Sequence, residues 1–129
     1  MNLLVDTHLV LWTSMRPERL SARARAVLED PGNTLAFSIA SLWEIVIKTM
    51  LERHDDFAVD AVRLRSKLLE SGYEELPVTG DHALAVTALP SLHKDPFDRL
   101  LLAQAMTEGL TLLTADHALG AYPGPILRV

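Results

Sequence analysis

Two aspartates stand three positions apart at the start of an apolar stretch, in the segment HKDPFDRLLLAQAM at residues 93–106. Asp95 is of a residue type that caps helices, and Pro96 suits the first helical position. Asp98 then falls in the first turn, where an acid completes a capping box or favours the positive end of the helix dipole. Helix capping thus explains both acids. The alternative is that Asp95 caps the helix while Asp98 does chemistry.

Three further acids lie where either a structural or a chemical role fits. Asp6 follows the apolar run NLLV and Asp116 follows LTLLTA, and each could cap the helix after it. Glu44 lies in SLWEIVIKTML, a helix so apolar that we expect it to be largely buried. Glu44 could pair with Lys48 four residues on, an exposed helix pair worth about 0.2–0.5 kcal/mol. A buried acid, by contrast, needs a partner.

Short apolar runs alternate with helical patterns along the chain. The predicted strands are NLLV, TLAFS, a weak YEELPVT, LTLLTA and PILRV. Strands that are apolar on both faces are typical of a parallel sheet covered on both sides. We therefore predict one α/β domain over residues 1–129, with a central parallel sheet of four to five short strands and helices on both faces. Ligands bind at the carboxyl ends of such strands, where Asp6 and Asp116 lie.

The composition limits the classes of function. The 129 residues include no cysteine, which excludes disulfides and thiolate metal sites. A net charge of −5 argues mildly against an extended nucleic-acid-binding surface. The 49% hydrophobic content suggests that a second copy or a partner covers part of the surface. Neither a signal peptide nor a membrane span is predicted, so we expect a cytoplasmic protein.

A cluster of these acids would need a cation. Two like charges about 4 Å apart repel by roughly 4 kcal/mol at an effective dielectric constant near 20. Carboxylate oxygens without sulfur suit Mg²⁺ or Mn²⁺. Such ions polarise a phosphodiester and activate water. If Asp6, Glu44, Asp98 and Asp116 converge in the fold, they would therefore predict phosphodiester hydrolysis.

Four segments in this order, LLVDTHLVLW, ASLWEIVIK, KDPFDRLLLAQA and LTLLTADHAL, resemble the PIN-domain family, in particular its VapC-type toxins. The resemblance covers essentially the whole chain. It implies a small α/β fold and a metal-dependent endoribonuclease that leaves 5′-phosphate and 3′-hydroxyl ends. It also implies an RNA substrate, capture by a cognate antitoxin and a homodimer.

The resemblance also implies roles for single residues. The catalytic and metal-binding acids would be Asp6, Glu44, Asp98 and Asp116. Thr114 matches the hydroxyl position beside the last acid and would bind a metal-held water or orient Asp116. Asp95 is then the better cap, and it remains possible as an outer-shell acid.

Other polar residues have weaker signals. His8 and His117 lie beside proposed acids and could touch substrate. Lys94 and Arg99, like His93, flank Asp98 and could meet RNA phosphate, although a solvated surface explains them equally well. The run of Arg63, Arg65 and Lys67 is more typical of a solvated helix face. We expect Trp12 and Trp43 to lie in the core.

Competing functions remain. Haloacid-dehalogenase-like phosphatases need D-x-D after the first strand, and here the second acid is replaced by His8. Response-regulator receivers need adjacent acids near that strand, which are missing. A PIN-like module that binds RNA or protein without cutting is the remaining alternative, although the presence of all four acids favours activity.

Overall fold

The computed structural model describes residues 1–51, 59–91 and 95–129. Within these ranges the strands are β1 (Asn2–Val5), β2 (Thr34–Ser38), β3 (Glu74–Leu76), β4 (Thr111–Thr114) and β5 (Ile126–Arg128). The helices are α1 (Thr7–Met15), α2 (Ala22–Glu29), α3 (Ile39–Met50), α4 (Ala61–Glu70), α5 (Gly80–Ala85), α6 (Pro96–Glu108) and α7 (His117–Gly120). Two 3₁₀ turns, Pro17–Arg19 and Val86–Ala88, follow α1 and α5.

The five strands form one parallel sheet in the order β3-β2-β1-β4-β5. In the central strand, Leu3 pairs with Leu35 of β2 and with Thr111 of β4. The predicted α/β fold with a parallel sheet is confirmed, as are the predicted strands. Because β1 is central, the residue that follows it lies in the middle of the carboxyl edge of the sheet.

Helices cover both faces of the sheet. Leu3 and Val5 of β1 pack on one face with buried residues of α1 and α4. Leu4 points to the opposite face and packs with Leu101 and Leu102 of α6. All these β1 side chains are fully buried. The alternation of side chains along a strand thus explains why β1 is apolar throughout.

Short polar side chains start most of the helices. The predicted caps are confirmed: the Ser21 hydroxyl accepts from Ala24 N at the start of α2, and Asp95 caps α6 with Pro96 next to it. Gly109 ends α6 with φ +69°, a left-handed conformation that suits glycine. Across the described ranges, no helix is long and apolar enough to cross a membrane.

The prediction that α3 is largely buried is wrong in part. Its buried residues are Ala40, Ser41, Glu44 and Ile45, which share one face. Trp43 is 58% exposed, so its prediction as a core residue is wrong as well. The reason is that neighbouring helices cover only one side of α3. Trp12 does pack, half-buried, against the core.

Candidate active site

The ends of β1 and β4 are joined by a buried polar corner. Asp6 is 4% exposed, and its Oδ1 accepts a hydrogen bond from Leu9 N at 2.9 Å. Its Oδ2 accepts from the hydroxyl of the fully buried Thr114 at 2.5 Å. The same hydroxyl oxygen accepts from Asp116 N at 3.0 Å. Thr114 therefore orients both the carboxylate of Asp6 and the turn that carries Asp116.

Burial raises the pKa of Asp6 above its ordinary value. The hydrogen bonds from Thr114 and Leu9 act in the opposite direction, as does the nearby His8. The charge of Asp116 also raises the pKa of Asp6 and is the smallest of these causes. Ionisation of Asp6 is therefore less favourable here than in water, and a nearby positive charge would favour it.

Asp116 is exposed and caps α7, since its Oδ1 accepts from Ala118 N at 2.7 Å and Leu119 N at 3.2 Å. The capping explanation is thus confirmed for Asp116, and it is confirmed for Asp6 at the start of α1. Both bonds of Asp116 use Oδ1. Capping therefore does not engage its second oxygen.

Glu44 is 2% exposed, and its Oε2 accepts from the Lys48 ammonium at 2.7 Å. The pairing of Glu44 with Lys48 is the one that helical spacing predicts. The predicted pair was an exposed one, however, and Glu44 is buried. Its Oε1 is also buried and meets no hydrogen-bond donor in the described part of the chain. An unpaired buried carboxylate oxygen is costly. A bound cation would give this oxygen a partner, so Glu44 Oε1 is a candidate metal ligand.

A hydroxyl pair that the sequence did not suggest joins the segments that carry Asp6 and Glu44. Thr7 Oγ1 donates to Ser41 Oγ at 2.9 Å, and both residues are 1% exposed. Thr7 follows Asp6 directly, and Ser41 stands one turn before Glu44 on the same helix face. This bond ties the start of α1 to the face of α3 that carries Glu44. The one sequence signal for this bond was the position of Ser41, three residues before Glu44 in an apolar helix.

The two acids at the start of α6 have different surroundings. Asp95 Oδ1 accepts from Phe97 N at 2.9 Å and from Asp98 N at 3.4 Å, so Asp95 is the cap. Asp98 lies half-buried in the first turn. Lys94 and His93, proposed to contact RNA, fall outside the described residues.

Within residues 1–51, 59–91 and 95–129, no three His, Asp or Glu side chains lie close enough together to hold one ion. For three of the acids, existing hydrogen bonds already hold one carboxylate oxygen in place. Asp6 and Asp116 each direct an oxygen to helix N–H groups, and Glu44 directs one to Lys48. Their chemistry, all oxygen with one oxygen unpaired, nevertheless fits Mg²⁺ or Mn²⁺.

The remaining candidates differ in their surroundings. His8 is exposed and lies with its ring 5.8 Å from that of Trp12. The Arg99 guanidinium reaches the carbonyl oxygens of Val86 and Leu89 at 3.5 and 3.4 Å, so it also joins α6 to the turn after α5. His117 contacts the guanidinium of Arg128.

Comparison with known proteins adds independent information. Residues 3–125 match the family model of the PIN domain. Ribonuclease VapC22 of Mycobacterium tuberculosis is 32% identical over 123 residues, which cover 95% of this chain and 92% of the relative.

Solved structures with a similar fold include VapBC2 from Rickettsia felis bound to a DNA fragment from its promoter. That match has a TM-score of 0.72 and 18% identity, and it covers 100% of this chain and 99% of the other. VapBC-5 of Mycobacterium tuberculosis, from the VapBC family of toxin-antitoxin systems, matches with a TM-score of 0.64 and 20% identity over 99% and 98% of the chains. At these identities the matches show the fold.

Proposed function

The chain belongs to the PIN-domain family, and from that premise we propose that it is a metal-dependent endoribonuclease, the toxin of a toxin–antitoxin pair. The observation that carries the metal dependence is the buried Oε1 of Glu44, which has no donor among the described residues. The relative named a ribonuclease, at 32% identity over most of both chains, supports RNA as the substrate.

In this proposal Asp6, Glu44 and Asp98 hold Mg²⁺ or Mn²⁺, and Asp116 binds it directly or through water. Asp6 and Glu44 are buried carboxylates whose charge would be compensated by the ion. Asp98 contributes a carboxylate that is not needed as the cap, because Asp95 has that role. Thr114 supports the site by fixing the orientation of Asp6.

The bound ion would polarise the phosphodiester and make water a stronger nucleophile. The chain contributes the buried carboxylates of Asp6 and Glu44 and the half-buried carboxylate of Asp98, and an ion would draw these acids together. Attack of water on phosphorus forms a new P–O bond while the bond to the 3′ oxygen breaks, and that oxygen takes up a proton. The products are a 5′-phosphate and a 3′-hydroxyl.

We propose two protein partners. One is an antitoxin, supported by relatives that come from VapBC toxin-antitoxin systems. The other is a second copy, supported by large apolar side chains on the surface, among them Trp43 at 58% and Met50 at 75% exposure. A protein that scatters light as a monomer at high concentration would contradict the homodimer. We also propose that the protein acts in the cytoplasm, where cellular RNA would be its substrate.

The purified protein should cut single-stranded or looped RNA in Mg²⁺ or Mn²⁺, and EDTA should stop the reaction. End analysis should give 5′-phosphates. Asp98→Asn should be inactive, and Asp95→Asn, which preserves most of the cap, is the matched control. Cleavage in EDTA, 2′,3′-cyclic ends or an active Asp98→Asn variant would each defeat this mechanism. RNA binding without cleavage by the parent would favour the binding-module alternative.

A further inference from the structure

A buried amide stands where α6 meets the start of α3. Gln104 is fully buried, and its neighbours Leu101, Leu102, Ala103 and Ala105 in α6 are fully buried and apolar. A primary amide in such surroundings is costly unless its polar atoms are hydrogen-bonded. The contacts of Gln104 therefore indicate what its amide does.

The amide of Gln104 joins three segments. Its Oε1 accepts from the Ser38 hydroxyl at 2.6 Å. Its Nε2 donates to the Pro77 carbonyl at 3.2 Å, an atom that can only accept, and this fixes the orientation of the amide. Nε2 also lies 3.3 Å from His82 Nδ1, which accepts from Thr79 N. Every polar group of the side chain is thus engaged.

Ser38 is the last residue of β2 and the cap of α3. Its hydroxyl oxygen accepts from Ala40 N at 2.9 Å while its hydrogen goes to Gln104. One buried hydroxyl therefore both starts α3 and attaches it to α6. The two helices also pack against each other.

Ser38 and Gln104 are each six residues from a proposed metal ligand on the same helix. Glu44 is six residues after Ser38 along α3, and Asp98 is six residues before Gln104 along α6. At 1.5 Å per residue, each acid is about 9 Å along its helix from the shared hydrogen bond. A small rotation or slide of either helix would change the separation of the two carboxylates.

We propose that Ser38 and Gln104 are positioning residues, which hold α3 and α6 in the register that lets Glu44 and Asp98 bind one ion. The inference rests on the proposed function. Gln104→Met keeps the size of the side chain and removes its hydrogen bonds. Groups that hydrogen-bond directly to a metal ligand typically change metal affinity tenfold to a hundredfold, and Ser38 and Gln104 act through the helices one step further out, so we expect a change of about threefold to tenfold.

The experiment measures Mn²⁺ binding to the folded protein by isothermal titration calorimetry, well below the melting temperature. Gln104→Met and Ser38→Ala should each weaken Mn²⁺ binding about threefold or more, less than the loss of a direct partner of a metal ligand. Ser38→Thr keeps the hydroxyl and should bind Mn²⁺ like the parent. The double variant Ser38→Ala, Gln104→Met should lose less Mn²⁺ affinity than the two single losses combined, because both substitutions remove the Ser38–Gln104 bond while each also removes contacts of its own.

Kinetics and a control separate positioning from general destabilisation. At limiting Mn²⁺, Gln104→Met should lower kcat and leave KM for RNA unchanged, since neither residue contacts RNA. Ala24→Gly in α2, a buried site in a helix without candidate ligands, is a destabilised control and should keep the Mn²⁺ affinity of the parent.

The outcomes are distinguishable. If the parent binds no Mn²⁺ and cuts no RNA, the proposed function fails and this inference fails with it. If the parent binds Mn²⁺ and cuts RNA, while Gln104→Met and Ser38→Ala bind Mn²⁺ equally well, the inference alone is overturned. Additive losses in the double variant would also overturn it.

Discussion

The starts of α1 and α6 use acidic side chains differently. At α1 a single buried carboxylate, Asp6, accepts from Leu9 N with one oxygen and from Thr114 with the other. At α6 the capping bonds go to Asp95, and Asp98 follows in the first turn. At α6, mutations can therefore test capping by Asp95 separately from ion binding by Asp98. At α1, Asp6 would serve both roles.

The largest effect should come from α6. Asp98→Asn should lower kcat by at least about a hundredfold, since loss of an outer partner of a metal ligand already costs tenfold to a hundredfold. Asp95→Asn should cut RNA like the parent. Steady-state cleavage in Mg²⁺, with circular dichroism to verify folding, measures both. Equal losses in the two variants would mean that the acids are not divided into cap and ligand.

Metal should stabilise the fold through the buried acids. A ligand that binds only the folded state at a hundredfold excess over its dissociation constant adds about 2.7 kcal/mol. Thermal melts with Mg²⁺ or Mn²⁺ should show this gain for the parent and for Asp95→Asn. The double variant Asp6→Asn, Asp98→Asn should melt at the same temperature with and without metal. A parent insensitive to millimolar metal would contradict the prediction.

Asp6→Asn should stabilise the metal-free protein at neutral pH. Burial raises the pKa of Asp6 in the folded state, so the unfolded chain loses this proton first as the pH rises through the ordinary aspartate pKa of 3.8. The parent therefore loses stability between that value and the raised one, and the loss persists at higher pH. Without metal, the melting temperature of Asp6→Asn relative to the parent should rise between pH 3.5 and 7. A constant difference would argue against a raised pKa.

The smallest effect should come from the cap alone. Asp95→Ala removes the acceptor for Phe97 N and should cost about 1 kcal/mol of unfolding free energy, measured by urea denaturation. Asp95→Asn should cost much less, because its amide oxygen still accepts. Neither should change kcat at temperatures where the protein is folded. A large loss of kcat in Asp95→Ala alone would give Asp95 a place near the ion.

Local sequence signals predicted much of the fold. Short apolar runs predicted the strands, because a parallel strand is buried on both faces. Ser21, Asp95 and Gly109 marked helix ends through chemistry that acts within a few residues. The pairing of Glu44 with Lys48 followed from helical spacing alone.

Long-range packing could not be predicted in the same way. The exposure of Trp43 depends on which side of α3 its neighbours cover. The Thr7–Ser41 and Ser38–Gln104 bonds join residues 34 and 66 positions apart, and no local pattern pairs them. The shared placement of the four acids around one ion stays a prediction, as does a single domain over residues 1–129.

The division between Asp95 and Asp98 is tested most directly by a crystal structure of the parent with Mn²⁺, located by its anomalous scattering. The account predicts one ion bound by Asp6, Glu44 and Asp98, with Glu44 Oε1 among the ligands and Asp95 still accepting from Phe97 N. An ion bound to Asp95 in place of Asp98, or no ion near Glu44 at saturating Mn²⁺, would contradict it.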